Sequence, residues 1–361
     1  MLAPGVSDKS RRVCSQFATL GAAVQPDSHV VAIDLTTLAL PLQQGCCGSC
    51  YAIAMTQTLQ DRFCAFTGQT VSLSVHSILR HTATPGVLVG CEGGFIGGDA
   101  VDAFHRWHGV GVTSEPPYAD DRCIDRLCVN DMDPCAARSH TEYVRSEAWV
   151  EVTRPDEIMA LLRGQFPGVT EAGPVAVGFG VYADFASGRG ASWIPLNDDI
   201  ILGNLRFSHC FCPTQVDKSR FNEFKDGFHA ASVLGWVRLR APRVPSHCEG
   251  LYWILRNSWG RSWGDAGYAL VSSSANRHDA GHVGYSHLFD AGTDPTLWHR
   301  PLAAAPGRMR LIFVPHGTSI TPHAGHRDNT SGNVALVFVL IALVLSILFF
   351  GRKHAYLKSR Q

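Results

Sequence analysis

The chain has 361 residues, 45% of them hydrophobic and 17% charged, and its 31 basic and 31 acidic side chains give a formal net charge of zero. That balance excludes a general electrostatic grip on nucleic acid, which needs a surplus of cations. With 35 Gly and 19 Pro the composition also excludes wholesale disorder, leaving a folded protein with one sizeable core or two modest ones.

Residues 1–30 are polar and read as an arm or short prosegment; MLAPGVSDKSRRVCSQ has no apolar h-region, so an ordinary cleaved signal peptide is not expected. From Ser49 the row CYAIAMTQTLQDRFCAF places Ile53, Leu59, Phe63 and Phe66 near helical spacing, and Gly68 supplies a stop. A second helix is predicted from Gly98 through Trp107, where Ala100, Val101, Phe104 and Trp107 share a face. A third is predicted from Pro155 to Arg163. After Gly173 the texture changes. PVAVGFGVY, HAASVLGWVRL, YWILRNSW and GYALVSS are short, β-branched or aromatic, and separated by turn residues, which predicts strands. A helix-rich half followed by a strand-rich half indicates an α+β protein of two lobes, spanning residues 31–292.

Residues 293–333 are rich in Pro, Gly and His and read as a stalk. Val334–Phe350 is seventeen residues with no charge and one Ser, long enough as a helix to cross a hydrocarbon core. The basic tail 351–361 suits a headgroup region, so a single-pass membrane anchor is expected. The positive tail favours a lumenal or external body, whereas tail-anchored insertion would leave the body in the cytosol; both orientations stay open. Twelve cysteines suggest an oxidising compartment, or else catalytic and metal roles.

The strongest chemical signal is Gln44-Gly45-Cys46-Cys47-Gly48-Ser49-Cys50-Tyr51, in which small residues precede a Cys that opens a helix. A thiol there feels the positive end of the helix dipole, which lowers its pKa and raises the thiolate fraction. Three further strings follow: Gly90-Cys91-Glu92-Gly93-Gly94-Phe95, then Gly227-Phe228-His229-Ala230-Ala231-Ser232, then Tyr252 through Gly260 followed by Ser262-Trp263-Gly264. Glycines at 93 and 94 would let the backbone approach and pair with an extended peptide.

These four strings, in this order over about residues 30–290, resemble the papain family of cysteine peptidases, and the resemblance implies a papain-like two-lobed fold, helical lobe plus β-barrel-like lobe. It implies Cys50 as nucleophile, Gln44 as oxyanion donor, His229 as general base and Asn257 as the group orienting its imidazole, with Trp259 shielding that bond. It further implies a Cys47–Cys91 disulfide and a substrate cleft lined by Gly48, Gly93, Gly94, Phe95, Phe228, Trp259 and Trp263. Protein or peptide substrates are implied, and no cofactor or metal. Phe228 departs from the small residue usual before that His, and Tyr51 from the usual Trp.

Within the family the chain resembles the exopeptidase-containing subgroup of cathepsins X, B and C, through Tyr252–Asp294 and the Cys-rich stretch of Cys123, Cys128 and Cys135. Leu38–Leu42 lacks the His-bearing insert of cathepsin X, however, and residues 119–140 hold only His140 where cathepsin B has a paired-His loop. Carboxypeptidase action needs a cation facing the terminal carboxylate, so endopeptidase action is the expectation, with an exopeptidase or a catalytically quiet binding protein as alternatives. His229 also follows Cys50 by more than the roughly 130–150 residues usual for the family. The excess is assigned to an insertion at about 190–226 containing His209-Cys210-Phe211-Cys212, expected as a surface loop with a disulfide or free thiols rather than a metal site. Setting Cys50 aside leaves an odd number of cysteines; Cys14 in the N-terminal arm reads first as exposed, unpaired or bonded to Cys46 or Cys64, with a reversible lock on Cys50 as the alternative.

Overall fold

The computed structural model describes residues 29–30, 40–68, 70–84, 87–88, 91, 93–94, 96, 110–111, 142–146, 149–152, 154–169, 172–181, 183–202, 205–213, 228–273, 303–306 and 309–313. All belong to the first of two compact units, Met1–Pro322. The predicted helix at 98–107, the Cys-rich stretch 123–135, the membrane segment 334–350 and the basic tail lie outside the described residues. No helix among the described residues is long and apolar enough to cross a membrane.

The chain opens with β1 (His29–Val30), followed by α1 (Cys50–Thr67) and α2 (Val75–Thr82). Short strands β2 (Ala83–Thr84), β3 (Val87–Leu88) and β4 (Val110–Gly111) precede β5 (Glu142–Ser146) and β6 (Trp149–Val152). Helix α3 (Pro155–Arg163) leads into β7 (Val175–Gly180) and the short α4 (Ala183–Ser187). Then come β8 (Trp193–Leu202), β9 (Leu205–Phe211), β10 (Phe228–Leu239), β11 (Gly250–Arg256) and β12 (Tyr268–Ser272), and finally β13 (Ala303–Pro306) and β14 (Met309–Phe313). The main sheet runs β6-β13-β7-β10-β11-β12-β9-β8, with β1 pairing on β10; β12 and β9 are parallel, and the other pairs antiparallel. Helix α1 and the predicted strands after Gly173 therefore form where the periodicity placed them.

Two expectations are corrected. The stretch 293–333 is not simply a stalk: β13 sits between β6 and β7, and β14 pairs with β5. Its Pro, Gly and His content hid two short runs, Ala303-Ala304-Ala305 and Met309-Arg310-Leu311-Ile312-Phe313, small or alternating enough to pair. Nor is the described part of the insertion a surface loop. Residues 193–211 form a hairpin whose second strand adds to the sheet at β12, burying Phe207, Cys210 and Phe211. Cys212 bonds Cys248, and Cys210 is a buried free thiol.

Helix α1 is the pivot of the molecule. It is buried from Tyr51 to Leu59 and from Asp61 to Cys64, so its polar side chains must find partners inside. Gln57 donates to the Leu40 carbonyl at 2.6 Å, and the Thr58 and Ser232 hydroxyls lie 3.2 Å apart. Arg62 donates to the carbonyls of Pro174, Gly173 and Leu161 at 2.6, 2.9 and 3.1 Å. Gly173 is a glycine for a packing reason, since a Cβ there would lie 2.5 Å from Cγ of Arg62. Asp61 pairs with Arg256 of β11 at 2.7 Å, both fully buried. Only Phe66, expected on the apolar face, is out of place: 47% of it is exposed, at the end of a helix stopped by Gly68 in the left-handed conformation (φ 68°).

Replacing Asp61 by Ala strands the Arg256 guanidinium in the interior, so Asp61→Ala is expected to cost about 3–5 kcal/mol of folding stability. The denaturation midpoint measures this; a loss below about 1 kcal/mol, the scale of an exposed pair, would contradict it.

Candidate active site

Four segments converge at the start of α1. The Gln43–Ser49 turn leads into Cys50, and it is held from both sides. Gly48 N–H donates to the Cys91 carbonyl at 2.7 Å, and the Cys47–Cys91 disulfide closes the same contact. A Cβ on Gly48 would lie 2.6 Å from that carbonyl oxygen and 2.8 Å from the Gly93 nitrogen, so only glycine fits. Gly93 itself has φ 103°, a conformation costly for any other residue. On the other side, Gln43 bridges Trp259, and Gln44 N–H donates to the Ser258 carbonyl at 2.8 Å. The Ser258 hydroxyl donates to Gln44 Oε1 at 2.6 Å while Gln44 Nε2 donates to the Cys47 carbonyl at 3.0 Å. The Gln44 amide is thereby turned with its nitrogen toward the nucleophile turn.

His229 is the second residue of β10, buried beside α1. Its Nε2 bonds Asn257 Oδ1 at 2.5 Å, and that oxygen also accepts from Ser258 N–H at 2.8 Å. Trp259 stacks on the imidazole with centroids 4.3 Å apart, and Phe179 meets it edge-on at 5.6 Å. Trp259 is backed by Trp263 and Phe185, and those in turn by Trp193 and Phe211 of the hairpin. With Asn257 holding Nε2, Nδ1 is the nitrogen left for chemistry. The Cys50 thiol lies within hydrogen-bonding reach of the backbone N–H of Ala230, the next residue along β10.

Burial decides the resting charges here. It pushes the Cys50 thiol up from its usual range, opposed by the N–H groups of Ala230, Tyr51 and Cys50 itself. This reverses the depression expected from the helix start: at the sulfur, lost solvation outweighs the helix dipole. Burial likewise pushes His229 down to about 4, although the bond to Asn257 works the other way. At each group, burial favours the uncharged form.

A model of the papain family of cysteine proteases matches residues 35–191 and 214–286. The chain belongs to that family. It is 29% identical over 245 residues to cathepsin B-like protease 1 of Arabidopsis thaliana, covering 64% of this chain and 53% of that one. It is 28% identical over 243 residues to cysteine proteinase 15A of Pisum sativum, covering 64% and 54%. The chain thus spans about half the length of the curated relatives it matches. Among solved structures, a clostridial cysteine protease determined after propeptide cleavage shares the fold at 16% identity and a TM-score of 0.50, over 77% of this chain and 56% of that one.

The family's expected residues fall into place unevenly. Cys50, Gln44, His229, Asn257 and Trp259 come together, with Gly48 and Gly93 against the Cys91 backbone and Trp263 one ring farther out. Phe95 lies outside the described residues, as does the side chain of Phe228. Cys50 carries a free thiol, so the proposed lock from Cys14, itself outside the described residues, is not closed on it. Cys46 and Cys64 are disulfide-bonded. Cys212, His247 and Cys248 cluster, but the two sulfurs are bonded to each other and neither is a thiolate ligand. Missed from the sequence were Ser258, which orients Gln44, and the aromatic backing of Phe179, Phe185, Trp193 and Phe211. The strand alternation of the hairpin could have revealed the last two; Ser258 carries no signal beyond its place after Asn257.

The His229 shift has a sign that can be tested. The unfolded chain takes up a proton near pH 6.5, while the folded imidazole stays neutral until about pH 4. Stability is therefore fully present above pH 6.5 and is lost as pH falls toward 4. The imidazole resonances are expected to titrate near pH 4, and a midpoint near 6.5 would contradict the burial argument.

Proposed function

We propose that the protein is a thiol protease that hydrolyses peptide bonds through Cys50, His229 and Asn257. The observation that carries the reading is the imidazole fixed between Asn257 and Trp259, one strand residue from the backbone N–H that the thiol reaches. As the Cys50 sulfur attacks the carbonyl carbon of a bound peptide, His229 Nδ1 takes its proton. The oxyanion is received by Gln44 Nε2 and by the Cys50 backbone N–H. When the C–N bond breaks, the imidazolium returns the proton to the departing amine. Water then attacks the thioester with His229 as base, releasing the acid and restoring the thiol. Asn257 holds the ring in the tautomer this exchange requires, and the stacked Trp259 keeps water from that bond.

Substrates are protein or peptide chains, bound extended against the Gly93–Gly94 backbone and cut by endopeptidase action. The apolar run Val334–Phe350 anchors the protein in a membrane as a single span, with the basic tail at the headgroups. The body is lumenal or external.

Cys50→Ala is expected to lower peptide hydrolysis on the order of 10⁶-fold, the scale for removing a nucleophile, with the fold retained; Asn257→Ala should be milder, because it removes an orienting group. Undiminished turnover by Cys50→Ala would overturn the assignment. Deleting residues 333–361 should release the protein from membranes in active form. Retention of the truncated protein in an alkaline-washed pellet would contradict the anchor. A glycan on Asn329, in the sequon Asn329-Thr330-Ser331, would establish a lumenal body.

A further inference from the structure

The end of the hairpin meets the turn between β10 and β11 at three metal-binding side chains. Cys212 lies just past β9, and His247 and Cys248 lie in a single 3₁₀ turn, Ser246–Cys248. Their two sulfurs and an imidazole nitrogen fall within 4.8 Å of one another. We infer that these three residues form a zinc site when the Cys212–Cys248 disulfide is reduced, so that a metal and a disulfide are alternative clasps for one junction. They belong to a different part of the core from Cys50, and would bind metal whether or not the protein is a protease.

Two observations support it. The first is geometry. A tetrahedral zinc with sulfurs at about 2.3 Å and a nitrogen at about 2.1 Å holds its ligand atoms roughly 3.6–3.8 Å apart. The Cys212 and Cys248 Cα atoms are 5.9 Å apart, so a turn about χ1 brings the freed sulfurs to that spacing with the backbone in place. His247 supplies what a plain disulfide does not need. It is exposed while its neighbour Cys248 is buried, yet its ring is folded back toward the two sulfurs. The second observation is chemical fit. Two thiolates and a neutral imidazole cancel the charge of a divalent ion, and the neutral unit suits surroundings that include Leu239, Val244 and Tyr252. Sulfur with imidazole nitrogen selects zinc over magnesium or calcium. The exposed side of His247 leaves the fourth position to water. Cys210 does not fill it: its thiol bonds the Tyr252 hydroxyl, which itself donates to the Cys248 carbonyl at 2.6 Å, and it stands outside the cluster. Nor does His209, whose Nδ1 is engaged with the Ser208 hydroxyl.

A dithiol gives two electrons and two protons to the Cys212–Cys248 bond and leaves as its own cyclic disulfide, which frees two protein thiols. The zinc ion then displaces both thiol protons to solvent and forms two Zn–S bonds and one Zn–N bond. The junction is clasped in either state. Its hold reaches both ends of the hairpin, because Cys212 N–H donates to the Ser192 carbonyl at 2.7 Å. For a thiol protease this matters, since conditions that keep the nucleophile reduced are also those that open disulfides.

The experiment uses the full chain carrying Cys50→Ala, so that the nucleophile cannot bind metal. The protein is reduced with a dithiol, desalted without oxygen, and titrated with zinc or with cobalt. The reduced protein should take up zinc, and the cobalt form should show thiolate-to-cobalt charge transfer with the visible bands of a tetrahedral ion. His247→Ala keeps the disulfide for folding and should weaken zinc on the order of a hundredfold, the share of one ligand. Cys248→Ser should remove most of the cobalt charge transfer, while Cys210→Ser should leave affinity and spectrum unchanged. Zinc should also raise the thermal midpoint of the reduced protein, and should do so less for reduced His247→Ala at the same concentration. Reduced protein that takes up no zinc overturns the inference. So does zinc whose affinity and cobalt spectrum are untouched by His247→Ala and Cys248→Ser, which would place it on other cysteines. Loss of the metal in Cys210→Ser but not in His247→Ala would overturn this ligand set. No readout requires turnover, so a metal-free result and an inactive protease are separate outcomes.

Discussion

The chemistry depends on a helix and a strand holding one relative position. The thiol opens α1 and the imidazole opens β10, and neither element brings both groups. What fixes them is an internal polar seam. The Ser232 hydroxyl of β10 reaches the Ala54 carbonyl of α1 at 3.2 Å, and one turn farther on Thr58 meets the same hydroxyl. Arg62 and the Asp61–Arg256 pair then tie the far half of α1 to the strand-rich lobe. A buried ion pair gains little over a well-packed apolar contact, but it severely penalises displacement. Sliding α1 by one turn would leave two charges inside without partners. The seam thus specifies where Cys50 stands more than it adds to stability.

Much of this was legible in the chain, and the reasons differ by element. The α1 boundaries followed from periodicity and Gly68, and the central strands from β-branched runs between turns. The site residues were legible because four short strings occurred together in order; Cys50 or His229 alone would have meant little. The strands β13 and β14 were hidden by the Pro- and Gly-rich composition around them, since pairing in a sheet is decided by distant neighbours rather than by local propensity. The direction of the Cys50 shift runs against the expectation from the helix start because the helix dipole is visible in a sequence and desolvation is not.

The hairpin shows how an addition to a fold can reach its chemistry without touching it. Trp193 and Phe211 face each other across β8 and β9, and both pack on Phe185. Phe185 and Trp263 support Trp259, which covers the imidazole. The insertion thereby lends rigidity to the wall behind His229, and the Cys212–Cys248 disulfide secures its return to the sheet. The neighbouring Cys210 is buried in a different part of the core, with Phe207, Tyr252 and Ile254, and burial pushes its thiol up to about 12, which keeps it protonated and unreactive.

The position of β13 sets a boundary that the family match alone would misplace. The match ends at residue 286, yet β13 is inserted between β6 and β7 by residues 303–306. A chain cut at the end of the match would part β6 from the sheet and bare the backbone of β7, the strand beside the one that carries His229. Unpaired strand edges recruit other chains. Such a fragment would hold Cys50, His229 and Asn257 and still be prone to self-association, so the paired strands of the fold extend at least through Phe313.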